Sequence, residues 1–334
     1  MTRYAYYPGC SLETMAASYH VSSIEVAHRL GVELEELEDW NCCGATAYSK
    51  VDELLATVLC ARNLALAEKR GLDILAPCNA CYKNLWTANA ALRRDTDLAE
   101  HMNYALEADS LHYEGTVEVG HIMSAFVTDE ALGIIRAKAG DRIRGLKVAA
   151  YYGCQIARPR RPGTDLADVD GPTYFETLLA AAGADPVPFP YKLRCCGAAL
   201  MVTNRKAAVQ MVRDLLQNAV DGGAQVIATA CPLCQTNLEC YQAEVNHAYG
   251  TTYALPVLYF TQLLGLALGI GANRLGIGRE LVSAAPVLKR PPQPASHAAA
   301  TCRARTAAAE AAAGALEPAP AGPVAVAGLA TEGA

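Results

Sequence analysis

Short apolar runs and longer amphipathic stretches alternate along this chain. Tyr4–Tyr7 and Val148–Tyr152 are runs of strand length, each leading into a glycine and a cysteine. Leu72–Ala76 (LDILA) and Gln225–Ala228 (QVIA) have the same buried-strand character. Val51–Arg70 and Arg205–Asp221 instead place apolar residues three or four apart, which predicts helices with one buried face. Strand and helix in alternation predict an α/β fold, a small and mostly parallel sheet flanked by helices. In such layers, sites collect beyond the carboxyl ends of the strands. The most apolar late stretch, Tyr259–Ile270 (YFTQLLGLALGI), is shorter than the roughly 20 residues that span a bilayer. From about Pro286 the pattern fades into alanine and proline, so residues 284–334 read as a disordered or loosely helical tail.

The cysteines divide the rest into two equivalent halves. The first has YYPGC ending at Cys10, then Cys42-Cys43-Gly44, then PCNAC with Cys78 and Cys81. The second has YYGC ending at Cys154, then Cys195-Cys196-Gly197, then ACPLC with Cys231 and Cys234. Cys43 and Cys78 are 35 positions apart, as are Cys196 and Cys231; the first gap is looser, 32 positions against 41. Such a repeat implies a duplicated domain, with halves 1–144 and 145–283 meeting near Asp141–Lys147.

Composition narrows the chemistry. A net charge of −6 over 334 residues excludes a strong cationic field, so nucleic acid is not the expected partner. The opening MTRYAYYPGC lacks the charged-then-apolar layout of a secretory signal, and the expected location is cytoplasmic. Thirteen cysteines in a reducing compartment suggest metal binding or redox work rather than a disulfide framework. Five thiolates per half overfill a tetrahedral zinc ion, and the ferredoxin run CxxCxxCxxxC is missing. An adjacent pair suits neighbouring irons, and the glycine after it lets the backbone approach a cluster. Spacing alone leaves iron–sulfur, zinc in at least one half, and reactive dithiols open.

The doubled pattern of cysteine, CCG and CxxC resembles the cysteine-rich CCG domains of the heterodisulfide reductase B-subunit family, over roughly residues 3–275. That resemblance implies a noncubane [4Fe-4S] cluster in each half. One would be held by Cys10, Cys42, Cys43, Cys78 and Cys81, the other by Cys154, Cys195, Cys196, Cys231 and Cys234. It implies an oxidoreductase acting on sulfur, in which a disulfide or carrier-bound sulfur between the clusters is reduced or, in reverse, formed. It also implies partners, a ferredoxin-like iron–sulfur protein and a flavin-containing protein of the same complex, since no ferredoxin run or GxGxxG fingerprint is present here. A related alternative passes electrons between a dehydrogenase and quinone, with one [4Fe-4S] cluster and one zinc. There the chain would sit peripherally on a membrane or partner through Tyr259–Ile270 as an amphipathic helix.

Several residues fall outside the ligand pattern. Cys60 and Cys240 sit in helical patterns and read as small hydrophobes, Cys302 as an incidental tail thiol. His121 reads as structural. Arg158, Arg160 and Arg161 form a basic loop after Cys154, suited either to an anionic substrate tail or to solvent. Tyr6-Tyr7 and Tyr151-Tyr152 are expected to end core strands and keep water from the clusters.

Overall fold

The computed structural model describes residues 2–45, 48–158 and 171–289. Among the described residues eight strands form two parallel sheets of four. The first contains β1 (Thr2–Tyr6), β2 (Val32–Glu36), β3 (Ile74–Ala76) and β4 (Val119–His121) in the order β2-β1-β3-β4. The second contains β5 (Lys147–Tyr151), β6 (Asp185–Pro186), β7 (Val226–Thr229) and β8 (Val257–Tyr259) in the order β6-β5-β7-β8. The two orders are the same, so the duplication seen in the cysteines is also a duplication of topology.

The central strands are the apolar runs read from the sequence. In register, Tyr6 pairs with Leu75, and Tyr151 pairs with Thr229. From Ala5 in β1 and Val148 in β5, and throughout β3 and β7, these strands are buried on both faces, as parallel strands covered by helices must be. Their carboxyl ends point the same way and deliver the cysteine-bearing loops to one edge of each sheet.

The halves share a core. One continuous apolar cluster joins Tyr6, Leu64, Leu85 and Phe126 of the first half to Tyr152, Phe175 and Phe260 of the second; a smaller cluster lies within the second half. Phe260 meets Phe126 and Phe175 with ring centroids 6.1 and 5.8 Å apart. The helix Ala17–Leu30 packs on the helix Phe260–Ala267, where the Ser22 and Thr261 hydroxyls bond at 2.6 Å.

Tyr259–Ile270 therefore does not form the amphipathic surface helix that the quinone-linked alternative would use. It turns from β8 into a helix whose residues from Phe260 to Ala267 are all buried. Its uniform apolarity reflects burial all round, not an amphipathic face. Among the described residues no helix is long and apolar enough to cross a membrane.

Candidate metal centre

Each nest is assembled from three loops. Cys10 follows β1 and Cys154 follows β5, each through a glycine in the left-handed region, Gly9 at φ +71 and Gly153 at φ +75. Cys78 and Cys231 follow β3 and β7 and cap the helices Asn79–Arg94 and Pro232–Cys240 in extended backbone conformation. Backbone N–H groups of Ala80 and Cys81 donate to the Cys78 thiol, and that of Cys234 donates to Cys231. Orphan donors at a helix N-terminus favour thiolate over thiol.

The CC loops are held by side chains that recur in both halves. The Tyr7 hydroxyl donates to the Asn41 carbonyl and the Tyr151 hydroxyl to the Arg194 carbonyl, both at 2.7 Å. In each case the acceptor residue directly precedes the cysteine pair. Asn84 Nδ2 donates to the Cys43 carbonyl at 3.0 Å, and Asn237 Nδ2 to the Cys196 carbonyl at 2.6 Å. Each asparagine stands three residues after the second cysteine of its CxxC. Sequence reading missed this, although the halves CNACYKN and CPLCQTN carry the signal in plain alignment.

All ten predicted thiols fall into one continuous run of side-chain contacts. In the first half Cys10 neighbours Cys42, Cys42 neighbours Cys43, Cys43 and Cys81 share a hydrogen bond at 3.5 Å, and Cys81 neighbours Cys78. In the second half Cys154 bonds Cys195, Cys195 bonds Cys196, Cys196 bonds Cys234, and Cys234 bonds Cys231. The two series join where Cys78 meets Cys231. Hydrogen bonds from Cys42 and Cys81 lower the Cys43 thiol to about 6. Bonds from Cys154 and Cys196 lower Cys195 to about 2, and bonds from Cys231 and Cys81 hold Cys78 well below the ordinary thiol range. Cys196, donating to Cys195, is pushed up to about 11.

Burial grades across each nest. Cys43, Cys78, Cys81, Cys196, Cys231 and Cys234 are buried; Cys154 is half-buried; Cys10, Cys42 and Cys195 are exposed. The nests thus open on the side of the lone cysteines and the first cysteine of each pair. A Cβ on Gly9 would lie 2.8 Å from Cys81 Sγ, and one on Gly153 3.1 Å from Cys234 Sγ. These two glycines face cysteine sulfur. The CCG glycines serve a different need. Gly44 and Gly197 take φ +68 and +83, and a Cβ there would meet the following helix, at Ala56 in the first half and at Ala208 and Met211 in the second. What they supply is the left-handed turn against that helix, because the chain reverses there before the helix begins.

Soft thiolates in this number fit an iron–sulfur group. Among the described residues no set of three or more His, Cys, Asp or Glu is arranged to hold a metal ion as it stands. The thiols form an extended run rather than a compact tetrahedron, which suits a polynuclear group better than one zinc ion.

A family model described as "Cysteine-rich domain", CCG, matches residues 4–85 and 148–239. The two matches cover the two sheets and their nests. The chain belongs to the duplicated CCG family of heterodisulfide reductase B-subunits. It is 36% identical to the 8-methylmenaquinol:fumarate reductase membrane anchor subunit of Wolinella succinogenes, over 84% of this chain and 97% of that one. It is 33% identical to the B-subunit of a ferredoxin/F(420)H(2)-dependent CoB-CoM heterodisulfide reductase of Methanosarcina acetivorans, over 84% of this chain and 94% of that one. A crystal structure of a hypothetical protein from Helicobacter pylori shares the fold, with TM-score 0.69 and 15% identity, covering 85% of this chain and 52% of that chain. Both of these sequence relatives are named as reductase subunits.

The remaining residues of this CCG protein sort by contact. Cys60 is buried and donates to the Cys43 carbonyl at 3.4 Å, bracing the nest from behind. Cys240 is exposed, which departs from the buried role expected of it. His121 is fully buried; its Nε2 donates to the Pro77 carbonyl at 2.9 Å while Nδ1 accepts from the Met123 N–H, so it steadies the residue before Cys78. Arg158 is exposed four residues after Cys154, whereas Arg160, Arg161 and Cys302 lie outside the described residues. Tyr6, Tyr7, Tyr151 and Tyr152 are all fully buried at the strand ends.

Proposed function

We propose that this chain is the two-cluster iron–sulfur component of a heterodisulfide reductase-like complex, handling a disulfide or thiol-bound sulfur where the nests face each other. The observation that carries the reading is the convergence of the two CxxC loops: one buried hydroxyl, Tyr19, bonds the carbonyl directly before Cys78 and the carbonyl directly before Cys231. Cys10, Cys42, Cys43, Cys78 and Cys81 would hold one noncubane [4Fe-4S] cluster, and Cys154, Cys195, Cys196, Cys231 and Cys234 the other. Such clusters supply one electron each, so a two-electron sulfur–sulfur cleavage divides into paired one-electron steps.

The protein's own part is positioning and access. Tyr7, Tyr151, Asn84 and Asn237 fix the CC loops, so the sulfurs keep their places as charge changes. Buried aromatic rings close the inner side against water, and the exposed Cys10, Cys42 and Cys195 mark the side from which a sulfur substrate enters. Arg158, beside that opening, would grip an anionic substrate tail. Electrons would come from a ferredoxin-like protein, with a flavin protein behind it.

A second reading is favoured by the 36% identity to the methylmenaquinol:fumarate reductase component. There the same two centres would pass electrons between a dehydrogenase and quinone, with no sulfur substrate. Paramagnetic resonance of the oxidised protein separates the two. A signal altered by an added thiol or persulfide supports sulfur chemistry; a signal indifferent to each, with electrons accepted from a quinol analogue, supports the second reading.

A further inference from the structure

The run of thiols crosses between the halves at Cys78 and Cys231, and around that crossing the two halves contribute differently. Tyr19, on the helix Ala17–Leu30, is fully buried. Its hydroxyl donates to two carbonyls, Pro77 at 3.0 Å and Ala230 at 3.2 Å. Pro77 directly precedes Cys78, and Ala230 directly precedes Cys231. One proton thus draws together the two loops that carry the facing cysteines. The Tyr19 ring lies flat on Tyr259, centroids 4.2 Å apart and planes 3° apart. Tyr259 ends β8 in the second half, so the stack itself joins the halves. Burial raises both phenols, and Cys231 and Cys78 raise them further, so both rings stand near thiols of both nests. Asn79 Nδ2 adds a strut from the first CxxC to the Tyr152 carbonyl, at 2.7 Å.

We propose that Tyr19 is a positioning residue that sets the separation of the two thiolate nests, and with it the coupling of the centres they hold. The coupling part rests on the two-centre reading above; the separation part stands on geometry alone. Without the hydroxyl, the Pro77 carbonyl keeps its bond from His121 Nε2 while the Ala230 carbonyl loses the Tyr19 donor, so nothing ties the two carbonyls together, and losing a buried donor is costly. The loops then part, and Cys78 and Cys231 part with them.

Tyr19→Phe keeps the ring and removes the proton. In the full-length chain, freed of metal by chelation under reducing, anaerobic conditions, dibromobimane bridges neighbouring thiols and peptide mapping identifies each bridge. The Cys78–Cys231 product is expected to fall about fivefold, the shift one net hydrogen bond carries. The Cys43–Cys81 product serves as internal control and stays unchanged. Tyr259→Phe, which retains the Tyr19 bonds, behaves as wild type. In the anaerobically loaded protein, Tyr19→Phe weakens the magnetic interaction between the reduced centres at unchanged iron content. An unchanged Cys78–Cys231 yield, or an equal fall in both products, overturns the proposal. Wild-type protein with fewer than two paramagnetic centres overturns the two-centre reading instead, while the cross-link still decides the role of Tyr19.

Discussion

Gly9 and Gly153 sit where backbone geometry and sulfur chemistry make the same demand. Both are left-handed, a conformation costing a side-chain-bearing residue about 1–2 kcal/mol, and both have a partner thiol where a Cβ would stand. Gly9→Ala should therefore strip metal from the first nest and spare the second, and Gly153→Ala should do the reverse; iron per chain and the resonance signal of each centre check this. Asn237 is buried and its amide serves the Cys196 carbonyl. Asn237→Ala leaves that carbonyl unpaired and should lower stability by about 1–3 kcal/mol in denaturant unfolding. At this scale, the ten cysteines were legible because their residue type is their chemistry and the repeat gave two readings of one pattern. Tyr19 was not legible, since it bonds carbonyls 58 and 211 residues away and carbonyls leave no mark in a sequence.

Among elements, the four central strands and the helix Arg205–Asp221 stand where hydrophobic pattern placed them. The outer strands were harder to read. β2 is the charged stretch VELEE, a sheet edge with one neighbour, and Arg3 of β1 pairs across it with Glu33 and Glu35. An edge strand is free to be polar, which removes the signal that identifies its central neighbours. β6 is only two residues long, and β8 was hidden within a single apolar run. The helix following the first CC loop also starts later than its apolar pattern, with Tyr48–Val51 as a separate turn. Asp52 caps the main segment, its carboxylate accepting from the Leu55 N–H at 2.9 Å. Asp52→Ala should cost about 1 kcal/mol, read as a lower denaturant midpoint at unchanged slope.

For the molecule as a whole, the duplication that spacing revealed did not show that the halves share a core. Phe260 belongs to the second half yet packs on Phe126 of the first and Phe175 of its own. Phe260→Ala should cost about 3–5 kcal/mol and lower metal retention in both nests together. Loss confined to the second nest would show that the halves are energetically separate. The shared core also explains why the sequence left the surroundings of Tyr259–Ile270 open: periodicity reports that a segment is apolar, while only tertiary contacts report what covers it.

The central claim is that two complete thiolate nests, facing each other, each hold an iron–sulfur group. Iron, sulfide and zinc per chain, measured on anaerobically purified wild type beside Cys196→Ser, test it most directly. The account predicts about eight irons with matching sulfide in wild type and about half in the variant, with the first centre's signal intact. Zinc without iron in wild type, or equal iron in both proteins, would contradict it.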